Sequence, residues 1–197
     1  MIDTYQCNAA VKNADALVAQ GVQAVGLYYF NHSAFKEQLT SGVAKALSAK
    51  GLYVVSVWED GYPDHAAYFG SESGYSDGHR AMERASRAGQ PHGTAIYFAV
   101  DYDATLGDLP RILRYFQAVK DVLGLAYEVG VYGSGLTCAF LSGQGLVTKT
   151  WLSESTGFQE HGAWLPHANI VQGHSTKLLG MDVDTDTTNG NAGGWKI

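Results

Sequence analysis

Between residues 94 and 103 the chain reads T-A-I-Y-F-A-V-D-Y-D. Side chains of a strand alternate between its two faces. Ile96, Phe98, Val100 and Tyr102 therefore share one broad apolar face, and Tyr97, Ala99, Asp101 and Asp103 share the other. Such a run, rich in β-branched and aromatic residues, predicts a buried strand. Seven further strand-like runs are predicted at residues 1–6, 24–30, 52–58, 128–133, 148–154, 168–173 and 180–184. Between them lie helical patterns at 11–20, from a cap at Ser33 to Lys50, at 77–88, at 108–123 with Pro110 in the first turn, and at 136–141. Residues 61–75 read as an aromatic loop, and the tail N-G-N-A-G-G-W as a glycine-rich one.

Strands alternating with helices, without a linker, predict a parallel α/β sheet. Eight such units predict one domain over residues 1–197, a compact (β/α)8 TIM-like barrel. At 197 residues it is shorter than usual, so the helices of its C-terminal half must be shortened. A doubly wound open sheet would want a glycine-rich phosphate turn after the first strand, and Thr4-Tyr5-Gln6-Cys7-Asn8 is not one.

A barrel places its functional groups at the C-terminal ends of its strands. Those ends carry Asp3 on strand one, Glu59 after strand three, Asp101 and Asp103 on strand four, and Asp182 and Asp184 on strand eight. Aromatic and amide candidates for the walls are Tyr28, Trp58, Tyr132, Trp151 and Gln172. Neighbouring acids repel and raise one another's pKa, which is what glycoside hydrolysis asks of a carboxylate pair.

Composition narrows the alternatives. A hydrophobic share of 46% with 16% charged residues describes a globular chain. A net charge of -6 argues against a nucleic-acid partner, which calls for basic patches. No run approaches the roughly 20 apolar residues of a membrane span, and no signal peptide is expected. The two cysteines, Cys7 and Cys138, form no metal-ligand spacing and read as small buried residues. Tyr132-Gly133-Ser134-Gly135-Leu136 lacks the first glycine of a nucleophile elbow. Asp182-Val183-Asp184-Thr185-Asp186 begins like a calcium loop but has Thr187 where glycine is required. No metal and no cofactor are expected.

The block I-Y-F-A-V-D-Y-D, the helix with Gly78, Ala81 and Ala85, V-G-V-Y-G at 129–133 and the opening I-D-T-x-Q resemble the bacterial glycoside-hydrolase-like barrel domains. More remotely they are similar to the family 25 lysozymes, which cleave the β-1,4 bond after N-acetylmuramic acid in peptidoglycan. By position, the resemblance implies Asp3, Asp101 with Asp103, and Asp182 as the site. The lysozymes have D-x-E on strand four; here the glutamate position is Asp103, one methylene shorter. The resemblance therefore implies a peptidoglycan hydrolase with Asp103 as general acid, or Glu59 in its place; a monomer is expected. It equally implies a barrel that binds glycan without cutting it; a metal-dependent phosphodiesterase is the reading from another class. A glycan substrate of the cell wall implies secretion or delivery to the envelope by a non-Sec route, or membership of a larger exported protein.

Overall fold

The computed structural model describes residues 1–31 and 36–197. Among them, eight strands close into a barrel in sequence order: β1 (Ile2–Asp3), β2 (Ala24–Tyr29), β3 (Tyr53–Trp58), β4 (Ala95–Ala99), β5 (Glu128–Gly133), β6 (Lys149–Leu152), β7 (Ile170–Leu178) and β8 (Met181–Thr188). The helices are α1 (Cys7–Lys12), α2 (Ala14–Ala19), α3 (Ser41–Ala49), α4 (Ser71–Ala88), α5 (Leu109–Leu123), α6 (Gly135–Gly143) and α7 (His161–Trp164). The closed TIM-like barrel with short helices late in the chain is as the sequence predicts.

The direction of the last strand is not. Strands β1 to β7 pair in parallel, whereas β8 runs antiparallel to both β7 and β1. The cause is local. Leu178 and Met181 face each other across a two-residue turn, Leu179-Gly180, with φ of 53° and 82°. Left-handed backbone at both positions is the type I′ geometry, whose twist matches that of a hairpin. A turn that short leaves no room for a crossover helix.

Alternation sorts the strands into two apolar layers. Val25, Leu27, Val54, Ile96, Phe98, Val100, Val129 and Val131 face outward and pack with Leu17, Leu47, Ala81, Ala85, Ile112, Phe116 and Leu141 of the surrounding helices. Tyr28, Val55, Val57, Ala95, Tyr97, Trp151 and Ile170 fill the lumen. Trp58 belongs to the outer layer, so it faces away from the mouth, unlike the wall position expected of it.

Several boundaries also move. Ser33, the expected cap, lies outside the described residues; α3 begins only at Ser41, where the Thr40 hydroxyl accepts the Val43 N–H. Helix α4 starts at Ser71, six residues before the predicted start at Asp77. Asp77 is consequently a buried mid-helix acid, and the hydroxyls of Tyr68 and Tyr115 donate to its Oδ2 at 2.6 and 2.7 Å. Cys7 and Cys138 are buried free thiols. The tail closes the barrel's lower end. Val54 and Trp195 exchange backbone hydrogen bonds, the Trp195 indole donates to Ser56, and the Tyr97 hydroxyl donates to the Ala192 carbonyl.

Candidate active site at the barrel mouth

At the C-terminal ends of the parallel strands a cleft of about 270 Å³ opens. Its acids are Glu59, Asp101, Glu154 and Asp184, and its aromatic walls are Tyr5, Tyr28, Tyr132 and Trp151. Gln172 completes it. Asp3 sits at its base, 2% exposed, where the Tyr28 hydroxyl donates to Oδ1 at 2.7 Å. Burial raises the Asp3 pKa to about 7, the charges of Asp184 and Glu59 add to the rise, and the Tyr28 hydrogen bond opposes it. Burial and the nearby Asp3 charge in turn push the Tyr28 phenol well up, so it stays a donor.

Gly26 makes this floor sterically available. A Cβ on Gly26 would lie 2.6 Å from the Asp3 Cβ and 3.0 Å from Trp151 Cη2. Any larger residue would force Asp3 or Trp151 out of the lumen.

Asp101 continues the inward alternation of β4 by two residues and lines the cleft directly. Crowding by protein, then the negative charges of Glu59 and Asp64, raise its pKa, and Lys36 lowers it. Glu59 is ion-paired, with Lys36 Nζ 2.7 Å from Oε1. The Tyr5 hydroxyl donates to its other oxygen at 3.3 Å, and Lys36 also stands over the rings of Tyr5 and Tyr28. On the far wall a chain of side chains fixes Asp184: the Tyr132 hydroxyl donates to Gln172 Oε1 at 2.9 Å, Gln172 Nε2 donates to Asp184 Oδ2 at 3.1 Å, and the Ser175 hydroxyl donates to Asp184 Oδ1.

Two expected members stand apart. Chain regularity ends at Ala99, so period two no longer aims Asp103. Its carboxylate accepts the Gln159 N–H at 2.8 Å and anchors the loop before α7 instead of lining the cleft. Asp182 lies on the exposed hairpin above the rim, 2.6 Å from Lys177 Nζ, and borders a neighbouring hollow of about 410 Å³ on the far side of Tyr5 and Asp184. The antiparallel register sets Asp184, not Asp182, opposite Asp3. The position expected of Asp182 thus falls to Asp184.

Tyr5, Lys36, Ser175 and Asp186 join or adjoin the site without being expected from the sequence. For Asp186 a signal existed, since it stands two residues beyond Asp184 on the same face. Lys36 carried none. Among the described residues no group of three or more His, Cys, Asp or Glu side chains is arranged to hold a metal ion, and no helix is long and apolar enough to cross a membrane.

Comparison with known proteins agrees with this architecture. The Tat-secreted protein Rv2525c of Mycobacterium tuberculosis, solved in complex with L-tartrate, superposes with a TM-score of 0.84 at 22% identity, over 99% of this chain and 98% of that one. The bacterial lysozyme of Streptomyces coelicolor superposes with a TM-score of 0.55 at 13% identity, over 96% and 91% of the two chains. In sequence, FadG of Bacillus subtilis (strain 168) is 30% identical over 191 residues, which cover 90% of this chain and 33% of FadG. The chain thus spans about a third of that relative's length. The family model described as Rv2525c-like, glycoside hydrolase-like domain matches residues 15–188, and the chain belongs to that family.

Proposed function

We propose that the chain is a lysozyme-like glycosidase acting on peptidoglycan or a closely related cell-wall glycan. The observation that carries this reading is the cleft itself: Glu59, Asp101 and Asp184 converge above a buried Asp3, between tyrosine walls suited to stacking on sugar rings. Asp101 is the group to protonate the leaving oxygen. It lines the cleft and its pKa is raised, as a general acid requires. Glu59, ion-paired with Lys36, faces the positive charge that develops at the anomeric carbon. Asp3 and Asp184 bind hydroxyls and tune the pair electrostatically. The lysozyme among the structural neighbours supports the substrate class, and the secretion of Rv2525c supports export to the wall.

A second reading has one observation behind it. Asp103 stands where the lysozyme resemblance expects the acid, yet its carboxylate is spent on the Gln159 N–H. A barrel that binds glycan and does not cut it would look this way.

Incubating the protein with purified peptidoglycan, and sizing soluble products by mass spectrometry, separates the two. Disaccharide-peptide fragments with new reducing ends are expected. Protein that sediments with the polymer but releases no fragments would establish the binding reading.

A further inference from the structure

Below the cleft, the lumen holds an acid that the site description leaves unused. Strand β8 directs Asp184 and Asp186 to the same face. Asp186 is 7% exposed. Its backbone N–H donates to the Met1 carbonyl at 2.9 Å, and its carbonyl accepts the Met1 ammonium at 2.8 Å. Because Asp3 pairs with Asp184 in the antiparallel register, Asp186 is the diagonal neighbour of Asp3, one layer deeper. Diagonal neighbours lie roughly 7 Å apart, within reach of each other's side chains.

Both carboxylate oxygens of Asp186, Oδ2 of Asp3 and the indole N–H of Trp151 are buried without a well-formed hydrogen bond among the described residues; the indole stands close enough to Asp186 to favour its charged form. Trp151 reaches this floor across Gly26. A buried polar atom left unpaired costs about 1–3 kcal/mol, and more when charged. A fold that gathers four of them in one small region keeps a costly arrangement that apolar side chains would relieve.

We infer that Asp186 and Asp3 form one acid pair, in which Asp186 stays the neutral acid while Asp3 ionises, so that the floor of the cleft carries a single negative charge. Asp186 is then a positioning residue that acts through Asp3, and its consequence for catalysis rests on the glycosidase reading. The electrostatics run the same way. Burial first, then the charges of Asp3 and Asp184, push Asp186 up to about 9, while the Met1 ammonium pulls it down. The charged and titratable groups facing the pair are Met1 and Tyr5 at β1, Tyr28 on β2, Glu59 after β3, Tyr132 on β5 and Asp184 on β8. The Met1 ammonium, the Tyr28 hydrogen bond to Asp3 and the Trp151 indole beside Asp186 favour ionisation of the pair; burial and the surrounding carboxylates oppose it.

The test is a carboxyl-carbon NMR titration of the full chain labelled in aspartate, for the wild type, Asp3→Asn and Asp186→Asn. In the wild type Asp186 should remain protonated through pH 7 and titrate above Asp3. Asp3→Asn should lower the Asp186 midpoint by about one unit or more, the coupling expected of interacting acids. Asp186→Asn should leave the Asp3 midpoint in place, since the amide copies a neutral acid. An Asp186 that titrates in the ordinary carboxylate range of the wild type would overturn the inference, and so would a fall of the Asp3 midpoint by about one unit in Asp186→Asn. The wild-type titration decides even if neither variant folds. Absence of peptidoglycan cleavage alongside the expected titration would remove the glycosidase reading and leave the pair intact.

Discussion

Two buried acids of this barrel occupy opposite sides of the same sheet. Asp77, outside the barrel on α4, and Asp186, inside it, are 5% and 7% exposed, and burial raises the pKa of both. Their surroundings differ. Asp77 accepts short hydrogen bonds from two tyrosine hydroxyls, whereas no well-formed hydrogen bond reaches either oxygen of Asp186 among the described residues, and the Trp151 indole is the donor nearest to it. The first is a structural acceptor that ties α4 to α5 and to the 66–68 turn. The second, like Asp3 above it, is polarity that packing does not require. Burial and a shifted pKa alone do not distinguish a structural acid from a working one; satisfaction does.

The contrast is sharpened most by Asp101→Asn. General acid catalysis contributes about 10²–10⁴-fold, so turnover of peptidoglycan should fall by that factor with the fold unchanged by circular dichroism. In the wild type the rate should decline as pH rises through the raised pKa of Asp101, because only the protonated acid can donate. Asp103→Asn should retain most turnover; the reverse ranking of the two variants would return the acid role to Asp103.

Asp77→Ala should do the opposite. It leaves the hydroxyls of Tyr68 and Tyr115 without their acceptor, at about 1–3 kcal/mol for each buried group. Urea denaturation should show that loss, while turnover per folded molecule stays near wild type. A large loss of turnover with no loss of stability would break the comparison.

The smallest effect concerns the lumen. A folded pKa of about 9 against an unfolded value near 3.9 means that folded Asp186 holds its proton where the unfolded chain has lost it. That contribution is fully present below pH 4 and is lost as pH rises towards 9. Asp186→Asn, which has no such dependence, should therefore gain on the wild type as pH rises from 5 to 8. Each kcal/mol relieved raises Tm by about 2–4 °C in a chain of this size. A variant less stable than wild type throughout would show Asp186 to be a satisfied acceptor of the Asp77 kind.

What could be read from the chain follows from how regular each region is. In β4 the alternation holds, so Ile96, Phe98 and Val100 face the helices and Tyr97, Ala99 and Asp101 face inward, as the pattern requires. The same alternation, applied to β3, sends Trp58 outward once Val57 and Glu59 are inward, so the wall position expected of Trp58 conflicts with the period of its own strand. Asp103 was out of reach of pattern reasoning because the strand has ended before it. The reversal of β8 was hidden for a different reason. Hairpin turns of this type favour Asn-Gly or Asp-Gly, and Leu179-Gly180 carries half of that signal. With the strand reversed, the acid facing Asp3 moves from Asp182 to Asp184. The early start of α4 was masked by S-E-S-G-Y-S, a run poor in helix formers that tertiary packing holds helical. Lys36, which ion-pairs with Glu59, sits in no motif.

The tail that joins Trp195 to Val54 and Ser56, and Ala192 to Tyr97, also fixes the order of events during synthesis. A ribosome delivers β1 to β7 before β8 exists, and until then the free edges of β1 and β7 lie open to pairing with other chains. The hairpin seals those edges, and the tail then covers the lower end of the lumen. The barrel is therefore completed only by residues 181–197, seventeen of its 197 residues. A nascent chain stalled before that point is an open, aggregation-prone sheet.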